Sequence, residues 1–172
     1  MSRSVESQTP ALVTAAVSRL SQRLKSAGQT VAVAESSTAG LISAKLLAVP
    51  GASACYAGGS VIYTLAARKE LLRIRKRDVA GLAPLTEPMV RVFAERARAQ
   101  LNATWAIAEL GAAGPAGAPY GHAAGTCVLA VVGPVNLTRT VITGHNNREE
   151  NMWHFAEQAI GLLDQAIERS TQ

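Results

Sequence analysis

The residues best equipped for chemistry stand in one run, Glu35-Ser36-Ser37-Thr38, inside the stretch VAVAESSTAG from Val31 to Gly40. One carboxylate and three hydroxyls follow a β-type apolar segment and precede a helical one. A hydroxyl nucleophile needs an activating base and a place for the oxyanion. Ser36 supplies the hydroxyl. The free N–H groups at the helix start, around Thr38, are expected to hold an anion or a developing oxyanion. An ordinary helix N-cap uses the same residue types. The pattern alone does not separate the two readings.

Two further segments carry chemical potential. Ser53 to Thr64, SACYAGGSVIYT, is extended and ends at Tyr63, whose phenol can move a proton. Its Gly58-Gly59 pair suggests a bulge or a close approach. Gly111 to Gly125, GAAGPAGAPYGHAAG, is a glycine-rich loop whose backbone N–H groups can wrap a phosphate. Its spacing matches neither GxGxxG nor the P-loop, so a dinucleotide or ATP site is unsupported. His122 in this loop and Arg148 at the head of the last helix are weaker candidates, each readable as a solvated side chain.

The elements that must position these residues follow from periodicity. Thr9-Pro10 reads as a cap and first helical position, opening a helix with Leu12, Ala16, Leu20 and Leu24 on one face and a stop at Gly28. Thr30 to Ala34 is a buried strand, and a helix follows from about Thr38 to Ala48. Leu65 to Leu72 and the segment opened by Thr86-Glu87-Pro88 are helices, and Thr104 to Ala108 is a third strand. Thr126 to Val132 and Asn136 to Thr143 read as strands of a hairpin, before a last helix from about Asn147 to Arg169. The order α, β, α, β, α, α, β, β, β, α implies a three-layer α/β/α sandwich with a mixed β-sheet. Residues 1–9 read as a loose tail and 10–172 as one domain.

Composition narrows the function classes. Aromatic residues make up only 4%, which disfavours a stacking platform for single-stranded nucleic acid. Much of the formal charge of +5 lies in the run Arg68 to Arg77, which reads more readily as a solvated helix end than as a nucleic-acid patch. Cys55 and Cys127 show no CxxC spacing and read as buried thiols of a reducing, cytoplasmic protein. No histidine cluster suggests a metal, and the most apolar run is too short to span a bilayer.

At these residues the chain resembles a known family. AESSTAG is similar to the AESCTGG of the CinA C-terminal domain family. VPGASACYAGGSVIYTLAARKELL resembles that family's PGAS…GGxxxYSNEAKxxLL block, GAAGP with Gly125-Thr126 resembles its GxAGP…VGT segment, and Asn147-Arg148-Glu149 resembles its DRE. The resemblance runs from about Thr30 to the C-terminus, in order and at compatible spacing. It implies an amidohydrolase that converts nicotinamide mononucleotide to nicotinate mononucleotide and ammonia, with no metal and no cofactor. It implies a small-molecule nucleotide as substrate and a homo-oligomeric assembly, with no membrane or nucleic-acid partner. By position, Ser36 is the nucleophile, Tyr63 the assisting tyrosine, and Arg68 stands where the family has its lysine. Glu35, Ser37, Thr38, Gly40, Gly59, Thr64, Gly111, Ala113, Gly114, Gly125 and Thr126 are expected to line the substrate.

The departures define an alternative. Arginine cannot serve as a base. Lys69 points about 100° away along a helix, and Lys45 is one helix distant. Leu65 and Leu110 replace an asparagine and a threonine, Ser37 replaces a cysteine, and Ala39 replaces a glycine. A member that binds a nucleotide or phosphate ligand without turnover is therefore the competing reading.

Overall fold

The computed structural model describes residues 11–172. The expected tail and Pro10 lie outside them. Five strands form one sheet in the order β2-β1-β3-β4-β5: β1 (Val31–Glu35), β2 (Tyr56–Val61), β3 (Trp105–Ala112), β4 (Thr126–Val132) and β5 (Leu137–Ile142). β1 runs parallel to β2 and β3, while β3–β4 and β4–β5 are antiparallel. The mixed sheet is therefore as expected. β2 skips a residue opposite Val31/Ala32, the irregularity that the double glycine suggested.

Among the described residues five α-helices cover the sheet: α1 (Ala15–Ser26), α2 (Leu41–Leu47), α3 (Leu65–Leu72), α4 (Glu87–Gln100) and α5 (Arg148–Ser170). Strand residues alternate between two apolar clusters. Val31, Val33, Trp105 and Ile107 pack with α1, α2 and α5. Ala32, Ala34, Ala106 and Ala108 pack with α4, whose Val90, Phe93 and Ala97 face them. Small residues on that second face let α4 lie close to the sheet.

Three boundaries differ from expectation. α1 starts at Ala15, where Thr14 caps it by accepting from Val17 N at 3.3 Å, and the expected cap Thr9 lies outside the described residues. α2 starts at Leu41, because Ala39 and Gly40 adopt positive φ of 52° and 104° and hold 36–40 as a turn. β3 runs on to Ala112, because Gly111 and Ala112 pair with Cys127 and Thr126. The first part of the glycine segment is thus strand.

The parallel strands bring the C-terminal ends of β1, β2 and β3 to one end of the sheet. The chain leaves β1 on one side toward β2, while β3 lies on the other. That divergence is where open α/β sheets leave a crevice, and Ser36 follows β1 directly at it.

Candidate active site

The Ser36 turn is held from beneath by two buried carboxylates. Glu35, at the end of β1, accepts from Gly40 N at 3.0 Å, Ile42 N at 2.9 Å and Ser43 N at 2.8 Å. The hydroxyls of Thr38 at 2.8 Å and Ser43 at 2.5 Å complete its set. Glu109, on β3, accepts from Ser36 N at 2.9 Å and Thr38 N at 3.0 Å through Oε2. Its other oxygen meets Ser37 Oγ at 2.5 Å.

This corrects one expectation. Most N–H groups around Thr38 do not wait for an oxyanion. Those of Ser36, Thr38, Gly40, Ile42 and Ser43 are held by the two carboxylates and those of Ala39 and Leu41 by the carbonyls of Ser36 and Thr38, while Ser37 N has no hydrogen-bond partner among the described residues. Ser37 Oγ and Thr38 Oγ1 are likewise engaged inward. Gly111 must lack a side chain here, since a Cβ would collide with Ser37 Oγ and Glu109 Oε1.

Ser36 is different. It is 4% exposed, and its hydroxyl has no protein partner among the described residues. It lies on the shared wall of two cavities, together with Arg68, Gly111 and Tyr120. The larger, about 520 Å³, lies between α3, α4 and the connection joining them. Ile74, Leu85, Met89, Phe93 and Leu110 give it an apolar wall, and Arg68, Lys69, Arg75 and Lys76 a basic one. Its volume falls in the range of small-molecule sites, roughly 300–1,000 Å³. The smaller, about 270 Å³, is bounded by Tyr63, Arg148 and the loop through Ala113, Gly114 and Gly117.

Arg68 comes from the first turn of α3, whose N-cap Thr64 accepts from Ala67 N at 3.1 Å. Its Nε donates to Ile62 O at 3.4 Å, and its Cζ stands 5.3 Å from the centre of the Phe93 ring. Burial lowers its pKa, while Tyr120 and Glu109 act to raise it. The group stays a cation at neutral pH. Burial pushes the Glu109 carboxyl above the usual carboxylate range, against the opposing pull of the Ser37 and Thr38 contacts. Burial and the neighbouring Glu109 push the Cys127 thiol well up as well.

Of the residues singled out in the sequence, Ser36, Tyr63, Arg68, Gly111, Ala113 and Gly114 meet at the cavities. Glu35, Ser37, Thr38, Gly40, Gly59, Thr64, Gly125 and Thr126 do not line either one. They are scaffold. Gly59 permits the packing of Ser43, Tyr56 and Val33, and Gly125 that of Thr143. Lys45 points elsewhere: it is 1% exposed and donates to Ala11 O at 3.1 Å. Lys69, Arg75 and Lys76 border the larger cavity, so part of the basic run faces a pocket.

Two residues escaped the sequence reading. Glu109 was visible as a lone carboxylate in an apolar strand, a signal left unused. Tyr120, between the two cavities, carries no sequence signal at all. No cluster of three metal-ligating side chains occurs among the described residues, and no helix among them is long and apolar enough to cross a membrane.

The family model of the CinA C-terminal domain matches residues 13–167. A CinA-like protein of Parasynechococcus marenigrum is 41% identical over 111 residues, 64% of this chain and 26% of that protein. A CinA-like protein of Anaeromyxobacter sp. (strain Fw109-5) is 35% identical over 160 residues, 93% of this chain and 37% of that protein. The chain thus spans between about a quarter and somewhat over a third of the length of these curated relatives. Among solved structures, a competence-damaged protein (CinA) superfamily protein from Escherichia coli superposes with a TM-score of 0.81 at 26% identity, covering 87% of each chain. One from Klebsiella pneumoniae gives 0.83 at 25% identity, covering 90% of this chain and 96% of that one.

Proposed function

The chain belongs to the CinA C-terminal domain family, and from that membership and the paired cavities we propose that it is an amidohydrolase of the nicotinamide-nucleotide type. The substrate is nicotinamide mononucleotide, and the products are nicotinate mononucleotide and ammonia. One observation carries the reading: the unpartnered Ser36 hydroxyl stands where an apolar, cation-lined cavity meets one bounded by Tyr63 and Arg148.

The chemistry divides between the residues as follows. Ser36 Oγ attacks the carboxamide carbon, and Tyr63 transfers the serine proton to the departing nitrogen. Arg148 orients that phenol by donating to its oxygen from 3.4 Å. Arg68, a fixed cation with no carboxylate partner among the described residues, balances the negative charge that grows on the amide oxygen. Ammonia leaves, and water hydrolyses the acyl-serine to the acid. The pyridine ring rests against the apolar wall, and Arg75 and Lys76 take the phosphate. Release of ammonia from nicotinamide mononucleotide, abolished by Ser36→Ala, tests the assignment.

A second reading is favoured by Arg68 itself. A side chain that never deprotonates at the lysine position suits binding of a nucleotide or phosphate ligand without turnover. Calorimetry showing nucleotide binding with no ammonia above the Ser36→Ala background would select it.

A further inference from the structure

Two buried carboxylates meet across one hydroxyl. Thr38 Oγ1 lies 2.8 Å from Glu35 Oε2 and 2.9 Å from Glu109 Oε2. A hydroxyl carries one hydrogen. It fills one of these contacts, so the other sets oxygen against oxygen, which is repulsive beside two charged carboxylates and eased when one of them is neutral. If both groups were ionised, like charges would face each other with 0% exposure of either residue. Neither carboxylate has a cation within ion-pair distance among the described residues. Buried carboxylates in such a shared site retain a proton between them.

The partners decide which group keeps it. Glu35 collects three amides, from Gly40, Ile42 and Ser43. Glu109 collects two, and both fall on Oε2. Its Oε1 meets only Ser37 Oγ and, at 3.8 Å, Cys127 Sγ. A proton on Oε1 displaces no amide, because a hydroxyl accepts as readily as it donates.

We propose that Glu109 stands as a neutral carboxylic acid at neutral pH, its proton on Oε1 toward Ser37, and that in this form it is the positioning residue of the Ser36 turn. Oε2 then acts as a carbonyl oxygen, holding the amides of Ser36 and Thr38. Ionisation would set a second charge beside Glu35 and loosen the turn. The groups facing Glu109 are few: Glu35 from β1 shares the Thr38 hydroxyl with it, Cys127 from β4 is a neutral thiol, and Arg68 from α3 is the one cation that acts on it among the described residues. From α5 the side chain near Gly111 is Phe155, which does not titrate. The burial shift of Glu109 favours the neutral form.

Infrared spectroscopy of the folded chain without substrate tests this. The wild type should show the carbonyl stretch of a protonated carboxylic acid at neutral pH, lost on Glu109→Gln. Glutamine supplies one acceptor for the two amides and one donor for Ser37, so its melting midpoint should stay near that of wild type. Glu109→Leu removes the acceptor, and its midpoint should fall well below both. Absence of the band in wild type, its persistence in Glu109→Gln, or a Glu109→Gln as unstable as Glu109→Leu would each overturn the proposal. The catalytic consequence rests on Ser36 as nucleophile. The band and the midpoints need no turnover, so failure here and failure of amide hydrolysis are told apart.

Discussion

Arg148 Nη2 meets the Tyr63 hydroxyl at 3.4 Å, while Nη1 of the same side chain donates to Gly114 O at 2.6 Å. The head of α5 thereby ties the end of β2 to the loop after β3, over the cavity that Ser36 faces. The tie joins three segments far apart in sequence, and it orients the phenol that the proposed mechanism uses. Tyr63→Phe and Arg148→Ala should therefore not be additive in kcat. A double-mutant cycle should return a coupling of about 1–2 kcal/mol. Additive losses would mean that the two act separately.

Arg68 offers charge without proton transfer. Arg68→Lys should keep kcat within about tenfold of wild type at neutral pH, where the ammonium is still a cation, and lose it at alkaline pH as the amine gives up its charge. Arg68→Ala should lower kcat by about a hundredfold through loss of oxyanion stabilisation. Steady-state kinetics of both variants across pH checks this.

The basic wall of the larger cavity should act on binding. Replacing Arg75 and Lys76 together by alanine should raise KM for nicotinamide mononucleotide by about tenfold and leave kcat within about twofold. High salt should narrow the difference, since both side chains are exposed.

Glu109 links stability to pH. Its carboxyl lies above the usual range in the folded chain, so the folded state binds the extra proton between the unfolded and folded values. Its stabilising contribution is full below the unfolded value and is lost as pH rises through the folded one. Across that window, wild-type stability relative to Glu109→Gln should fall by about 1.4 kcal/mol per pH unit. Denaturant unfolding at a series of pH values measures the slope.

Ala39 holds a left-handed φ of 52° in the Ser36 turn. Such a conformation costs an alanine about 1–2 kcal/mol, partly offset by the extra freedom glycine gives the unfolded chain. Ala39→Gly should thus raise unfolding stability by about 0.5–1 kcal/mol. Chemical denaturation reads this directly.

The sequence exposed the elements because its apolar periodicity is local. β1 shows as a continuous apolar run because it is buried on both faces, and α5 as a sustained helical stripe. Boundaries slipped where backbone geometry rather than hydrophobicity decides. Ala39 and Gly40 delay α2, and Thr14 caps α1. The Ser36 turn could be located, but the use of its N–H groups could not. Glu109 lies 73 residues from Ser36, and only the β1–β3 pairing brings them together. The basic run is ambiguous for the same reason: the fold alone decides which of its side chains turn toward a cavity.

The central claim is that Ser36 attacks the carboxamide of nicotinamide mononucleotide. Ammonia release by wild type, Ser36→Ala and Ser37→Ala, with folding of each verified, tests it most directly. Ser36→Ala should fall to the uncatalysed background, whereas Ser37→Ala, which loses only an inward hydrogen bond to Glu109, should keep at least about a tenth of wild-type turnover. Turnover that survives in Ser36→Ala, or no ammonia from wild type above that variant's background, would contradict it.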